Sequence, residues 1–150
     1  MTKRCIFCEI LAGRAPASFV MQDDVAVAFL DIQPVTPGHV LVIPRQHVER
    51  LADLPKDTGR HLFAIGQRVA AALFSLTGQP GTEIRCQGVN FFLADGRAAG
   101  QDVGHVHLHV FPRFTGDGFG FQLPPGYAMR PERHALDSIA SRLASVLSAH

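Results

Sequence analysis

The chain has 150 residues, 47% hydrophobic and 18% charged, which one compact domain with its own core accounts for without disulfides as its main support. The formal net charge is +1 and the lysines and arginines are scattered singly, so no broad basic face is expected; duplex nucleic acid is excluded as the natural partner and a small anion is left open. The basic start Met1-Thr2-Lys3-Arg4 runs into an apolar stretch broken by Cys8, Glu9 and Gly13. That stretch is neither a signal peptide nor a membrane span, so the expected location is cytoplasmic.

Ile6, Phe7, Ile10 and Leu11 keep helical spacing up to Gly13, predicting a short N-terminal helix. Residues 19–22 and 25–31 read as a hairpin turning at Asp23-Asp24, and the β-branched run 39–43, after the Pro34, Pro37 and Gly38 loop, reads as a third strand. Asp57 can cap a long helix whose apolar positions Leu62, Ile65, Val69, Leu73 and Leu76 recur near 3.6 residues and stop at Gly78 and Pro80. Two more strand candidates follow at 83–87 and 89–93, then a glycine-rich loop at 94–104. Pro131 can open a C-terminal helix carrying Leu136, Ile139, Ala140, Leu143 and Val146. Short strands joined by loops too short for parallel crossovers predict an α+β domain, an antiparallel sheet with helices on one side.

In the run 105–109 three histidines alternate with Val106 and Leu108. A strand sends alternate side chains to opposite faces, so all three imidazoles share one face and the other face is core. Three such groups on one side of one strand would waste polar atoms in a core, which marks the row as a site. His105 and His109 are roughly 13 Å apart along an extended strand at ~3.3 Å per residue, too far to ligate one tetrahedral ion together. At most two neighbours share a metal, and the remaining histidine needs another task. Neutral imidazole is a competent nucleophile toward phosphorus.

The run Gly100-Gln101-Asp102-Val103-Gly104-His105-Val106-His107-Leu108-His109-Val110-Phe111-Pro112-Arg113 resembles the signature of the histidine triad (HIT) family. Phe29-Leu30-Asp31-Ile32, Thr36-Pro37-Gly38-His39 with the strand after it, and Gly116-Asp117-Gly118-Phe119-Gly120 resemble the bacterial branch at the right spacing, so the likeness covers about two-thirds of the chain. It implies a single HIT-like α+β domain over 1–150: an antiparallel sheet of about five strands, a long helix, a short N-terminal helix and a C-terminal helical extension at about 130–149. It also implies a hydrolase or transferase acting on the α-phosphate of a purine nucleotide derivative such as a phosphoramidate or dinucleoside polyphosphate. His107 would be the nucleophile that becomes nucleotidylated, His109 would hold the phosphate or leaving group, and His39 would support the row. Asp31 would take the ribose hydroxyls, with a surface turn before Pro34 as its plainer role. Ile6, Phe7, Ile10, Phe29, Leu30 and Ile32 would form the purine slot, where ordinary core packing is the alternative, and Gln101, Asp102 and Val103 would border the nucleotide. The implied assembly is a homodimer built across the long helix and a sheet edge.

Cys5 and Cys8 alone make half a zinc site. The resemblance supplies the other half, His47 and His105, giving a closed Cys2His2 set that is structural and not catalytic. An empty or disulfide-forming pair is the alternative. Cys86, alone in an apolar segment, reads as a buried hydrophobe. Three positions depart from the family's habit. Ala94 lacks an amide donor, Asp102 brings negative charge where Ser or Thr is usual, and Gly104 replaces a bulkier side chain. Charge repulsion then disfavours polyphosphates and favours an uncharged or cationic leaving group. A weakly active nucleotide-binding sensor or partner-binding protein is the second reading, and a purely structural zinc protein a third.

Overall fold

A computed structural model describes residues 5–149 as two compact units, one ending at Phe119 and one beginning at Gly120. The first unit holds helix α1 (Ile6–Leu11), strands β1 (Phe19–Gln22), β2 (Ala26–Leu30) and β3 (Val40–Pro44), helix α2 (Lys56–Leu76), and strands β4 (Gly88–Phe92) and β5 (Leu108–Arg113). The strands form one sheet in the order β1-β2-β3-β5-β4, antiparallel at every pairing. No helix among the described residues is long and apolar enough to cross a membrane.

The sheet is buried on both faces at its centre, so β2 and β3 read as nearly continuous apolar runs. Ala26, Ala28, Val40, Val42, Val106, Leu108 and Val110 form a core with Leu62, Ile65, Val69 and Leu73, the α2 residues that a 3.6-residue period turns to one side. Val27, Phe29, Leu41 and Ile43 go to the opposite face and pack with Phe7 and Ile10 of α1. Each fully buried aliphatic side chain contributes roughly 1.5–3 kcal/mol by leaving water. Gly66 lets α2 approach closely: a Cβ there would lie 2.6 Å from the Phe91 ring and 3.2 Å from Leu108. At the hairpin turn, Asp23 Oδ1 accepts the N–H groups of Val25 and Ala26, and Oδ2 meets His61 Nε2 of α2 at 2.8 Å. Burial works against the Asp23 carboxylate, but these bonds hold its pKa down at about 2.

Several expectations are corrected. Residues 83–87 are not a strand; Cys86 N–H donates to Thr77 Oγ1 at the end of α2, so only Gln87 N–H, which reaches the Arg113 carbonyl, joins β5. Asp57 caps nothing, since α2 opens after Pro55 and the Asp57 carboxylate pairs with Arg60 in the first turn. The histidine row is regular strand only from Leu108 onward, because Val106 N–H bonds outside the ladder to the Val48 carbonyl.

In the second unit, helix α3 (Arg133–Leu147) opens after Glu132, two residues later than Pro131 allows. None of its residues is buried within the described chain. Leu136, Ile139, Leu143 and Val146 lie exposed along it.

Candidate active site and metal centre

Register decides what faces what. His109 lies opposite Leu41, which lies opposite Phe29, so the imidazole shares the α1 face of the sheet with those two side chains. His107, two residues earlier, takes the same face, and Val106, Leu108 and Val110 go to the α2 core. The rings of His107 and His109 are 4.8 Å apart, and Phe7 of α1 meets His107 edge-on at 5.3 Å. His39 arrives from the loop before β3. Thr36 Oγ1 anchors that loop to the Pro112 carbonyl at 2.6 Å, and Gly38 turns it with a φ of +94° that few other residues adopt.

The hydrogen bonds fix which nitrogen of each ring carries its proton. His107 Nδ1–H donates to the His105 carbonyl at 2.7 Å, leaving Nε2 with a free lone pair. His105 Nε2–H donates to the Pro44 carbonyl at 2.9 Å, leaving Nδ1 bare. His39 Nδ1 accepts the Val35 N–H at 3.2 Å, so its Nε2–H donates to His109 Nδ1 at 2.9 Å. His109 Nε2 therefore carries a proton as a neutral donor. Burial favours the uncharged form of three of the rings: it lowers His39 against the pull of Asp31, lowers His105, and pushes His109 down to about 4 with help from His107 and His39.

On the other side of His105, four ligand atoms converge. Sγ of Cys5, Sγ of Cys8, a ring nitrogen of His47 and one of His105 all lie within 4.8 Å of one another. His105 Nδ1 is 3.6 Å from Cys5 Sγ and 3.9 Å from Cys8 Sγ, and His47 Nδ1 is 3.3 Å from Cys8 Sγ. A tetrahedral zinc with its usual bond lengths separates its ligands by ~3.3–3.8 Å. The donor chemistry fits as well, since the bare Nδ1 of His105 is the nitrogen that faces the thiols. Glu49 Oε1 stands 3.8 Å from His47 Nε2, where it can orient that ring. Sequence reasoning missed Glu49, although an acidic residue two positions after a candidate ligand was a readable cue. It also missed Pro44 and Val35, which act through backbone atoms and carry no side-chain signal.

The remaining candidates separate. Phe7, Ile10 and Phe29 are core residues on the same side of the sheet as the histidines, with Val103 packed against them. Ile6 and Leu30 are exposed, and Ile32 is 92% exposed. Leu30 pairs with Val40, whose side chain belongs to the α2 face, so it stands apart from the other slot residues. Asp31 Oδ1 accepts the Gln33 N–H in a local turn, while Oδ2 sits 3.7 Å from His39 Nδ1. The Gln101 amide faces the protein: its oxygen accepts the Gly96 N–H and its nitrogen donates to the Glu49 carbonyl. Asp102, Val103 and Gly104 border an open cavity of 1160 Å³ together with Cys5, Ile6, Cys8, Glu9 and Glu49. Ala94 is buried.

Fold and site define a histidine-row protein with a Cys2His2 cluster beside the row. The model of the HIT domain family matches residues 12–116, and the chain belongs to that family. It is 37% identical over 147 residues to protein hit of Bacillus subtilis, spanning 95% of this chain and 97% of that one. Adenylylsulfatase HINT3 of Arabidopsis thaliana is 30% identical over 146 residues, 97% of this chain and 68% of the relative. A solved Zn-bound histidine triad family protein from Mycobacterium smegmatis matches with a TM-score of 0.69 and 37% identity over 98% of both chains.

Proposed function

We propose that this protein binds a purine nucleotide on the histidine face and cleaves the bond between its α-phosphorus and a leaving group, with His107 as nucleophile. The observation that carries the reading is the 2.7 Å bond from His107 Nδ1–H to the His105 carbonyl, which holds the ring with the Nε2 lone pair available. Nε2 attacks phosphorus, and the bond to the leaving group breaks with its electron pair. The departing group takes a proton from water. A second water then displaces the nucleotide from His107, restoring the neutral ring. His109, donor through Nε2–H, holds a phosphate oxygen. His39 positions His109 and does not touch substrate. Asp31 Oδ2 accepts from the ribose, and the exposed apolar Ile6 and Ile32 flank the base.

Zinc fits the Cys5, Cys8, His47 and His105 set as a structural ion; with all four positions taken by protein, it supplies cohesion between α1 and the sheet. The leaving group is expected to be neutral or cationic, because Glu9, Glu49 and Asp102 border the cavity beside the Cys2His2 set and, among the described Lys and Arg residues lining it, only Arg14, tied to Glu9 at 2.7 Å, offsets them. The name of the Arabidopsis relative, an adenylylsulfatase, supports adenylyl chemistry in the wider family. A second reading, a slow nucleotide-binding sensor, is favoured by two observations: both ends of the Gln101 amide are engaged by protein, and Ala94 supplies no side-chain donor.

Incubation with an adenosine phosphoramidate tests the proposal. AMP is expected to appear, with a transient nucleotidyl mass on His107. Binding without turnover would establish the sensor reading instead. A higher kcat/KM for diadenosine tetraphosphate than for the phosphoramidate would overturn the leaving-group assignment.

A further inference from the structure

Cys5 and Cys8 are the ligands most open to chemistry other than metal binding. Their sulfurs are within 4.8 Å of each other, and both residues are partly exposed on the cavity of 1160 Å³. The two-residue spacing at the start of a helical turn is one that a disulfide can bridge, needing sulfurs at ~2.05 Å and Cα atoms roughly 4.4–6.8 Å apart. Cys86 stands outside the cluster, buried, with its thiol on the Gly88 carbonyl, so it does not compete.

What the pair holds makes its oxidation consequential. Helix α1 has six residues, far fewer than a helix needs to persist alone, so its position depends on docking. Phe7 of α1 meets both His105 and His107 edge-on, at 5.7 and 5.3 Å. His105 faces the thiols with its ring and holds His107 with its carbonyl. One residue therefore belongs to both centres.

We infer that the Cys5 and Cys8 thiolates form a peroxide-sensitive clasp: oxidation to a disulfide expels zinc, unties α1 from the sheet and weakens nucleotide binding on the histidine face. One thiolate attacks a peroxide oxygen, giving a sulfenic acid and hydroxide. The second thiolate attacks that sulfur, forming the S–S bond and releasing another hydroxide; two protons from solvent convert the hydroxides to water. The two electrons lost by the sulfurs reduce hydrogen peroxide. Zn2+ leaves with only His47 and His105 remaining to hold it, and the new bond ties α1 to itself. The inference rests on the zinc and nucleotide readings above.

The experiment starts from reduced, zinc-loaded protein whose zinc content and AMP affinity are measured first; failure at that stage removes the underlying readings. Hydrogen peroxide is then added in steps, following zinc with a chromogenic chelator, intact and peptide masses, and AMP binding by calorimetry. One zinc is expected per Cys5–Cys8 disulfide, with AMP affinity falling on the order of tenfold, as loss of a supporting shell typically causes. Dithiothreitol plus zinc should restore both, and Cys86→Ser should respond identically. Zinc release without that disulfide, a disulfide formed with zinc retained, or unchanged AMP affinity after zinc loss would each overturn the inference.

Discussion

Three neighbouring histidines of similar sequence context differ in what holds them. His105 is tied through Nε2–H to the Pro44 carbonyl, His107 through Nδ1–H to the His105 carbonyl, and His109 receives His39. A division of labour follows that mutation can separate. His107→Ala is expected to abolish turnover while zinc stoichiometry by atomic absorption stays unchanged. Cys5→Ala should release zinc and cost stability in thermal unfolding; loss of zinc in His107→Ala would contradict the split. The pH response also belongs here. His39 and His109 are lowered by burial, His109 to about 4, so the unfolded chain binds more protons than the native one between there and the ordinary imidazole range near 6.5. Stability from these rings is complete above that range and lost as pH falls through each ring's lowered value, which for His109 is about 4. Each adds up to about 1.4 kcal/mol per pH unit to the slope, measurable by urea unfolding of chelator-treated protein between pH 7.5 and 5. Much of this was legible in the sequence, since alternation alone put the imidazoles on one face. The tautomers were not, because the atoms that set them are carbonyls and amides that every residue possesses.

Two glycines carry predictions for the elements they join. Gly66→Ala gains helix propensity of about 1 kcal/mol but drives a methyl into the Phe91 ring, held at 5.2 Å from Phe63, and into Leu108. Overpacking of this kind costs about 1–3 kcal/mol, so a net loss is expected in denaturant midpoint. Gly38→Ala combines a strained φ of +94° with a contact of 2.9 Å to Leu73, at the turn that delivers His39. Reduced activity should accompany its reduced stability, unlike Gly66→Ala, which lies on the opposite side of the sheet from the row. The turn pair Asp23-Asp24 marked the β1–β2 hairpin, whose strands bury no regular face, and hydrophobic period identified α1 and α2 because each buries a regular face. It misread 83–87, where the apolar Ile84 and Cys86 pack against the core without a strand, since backbone bonds to Thr77 replaced the ladder.

For the whole molecule, the sheet order leaves β4 with one unpaired edge, and Phe63 on neighbouring α2 is about half exposed. An open edge beside apolar surface is a place where a second chain can pair. The homodimer that the sequence resemblance implies is expected in sedimentation at twice the 16.3 kDa of one chain; a monomer at micromolar concentration would remove that expectation. Family and fold class were legible from the motif and the strand pattern. Which apolar residues line a slot and which are plain core was not, because Phe29 and Leu30 are adjacent in sequence and the register sends them to opposite faces.

The His107 ring is oriented by the backbone of its own strand. A carbonyl cannot be exchanged by any codon change, so the orientation of this ring is inherited with the chain path itself. Under the proposed nucleotide chemistry, variation at Asp102, which borders the cavity, would retune which molecules are attacked without resetting the attacking nitrogen. On that proposal, specificity is free to drift while reactivity stays put.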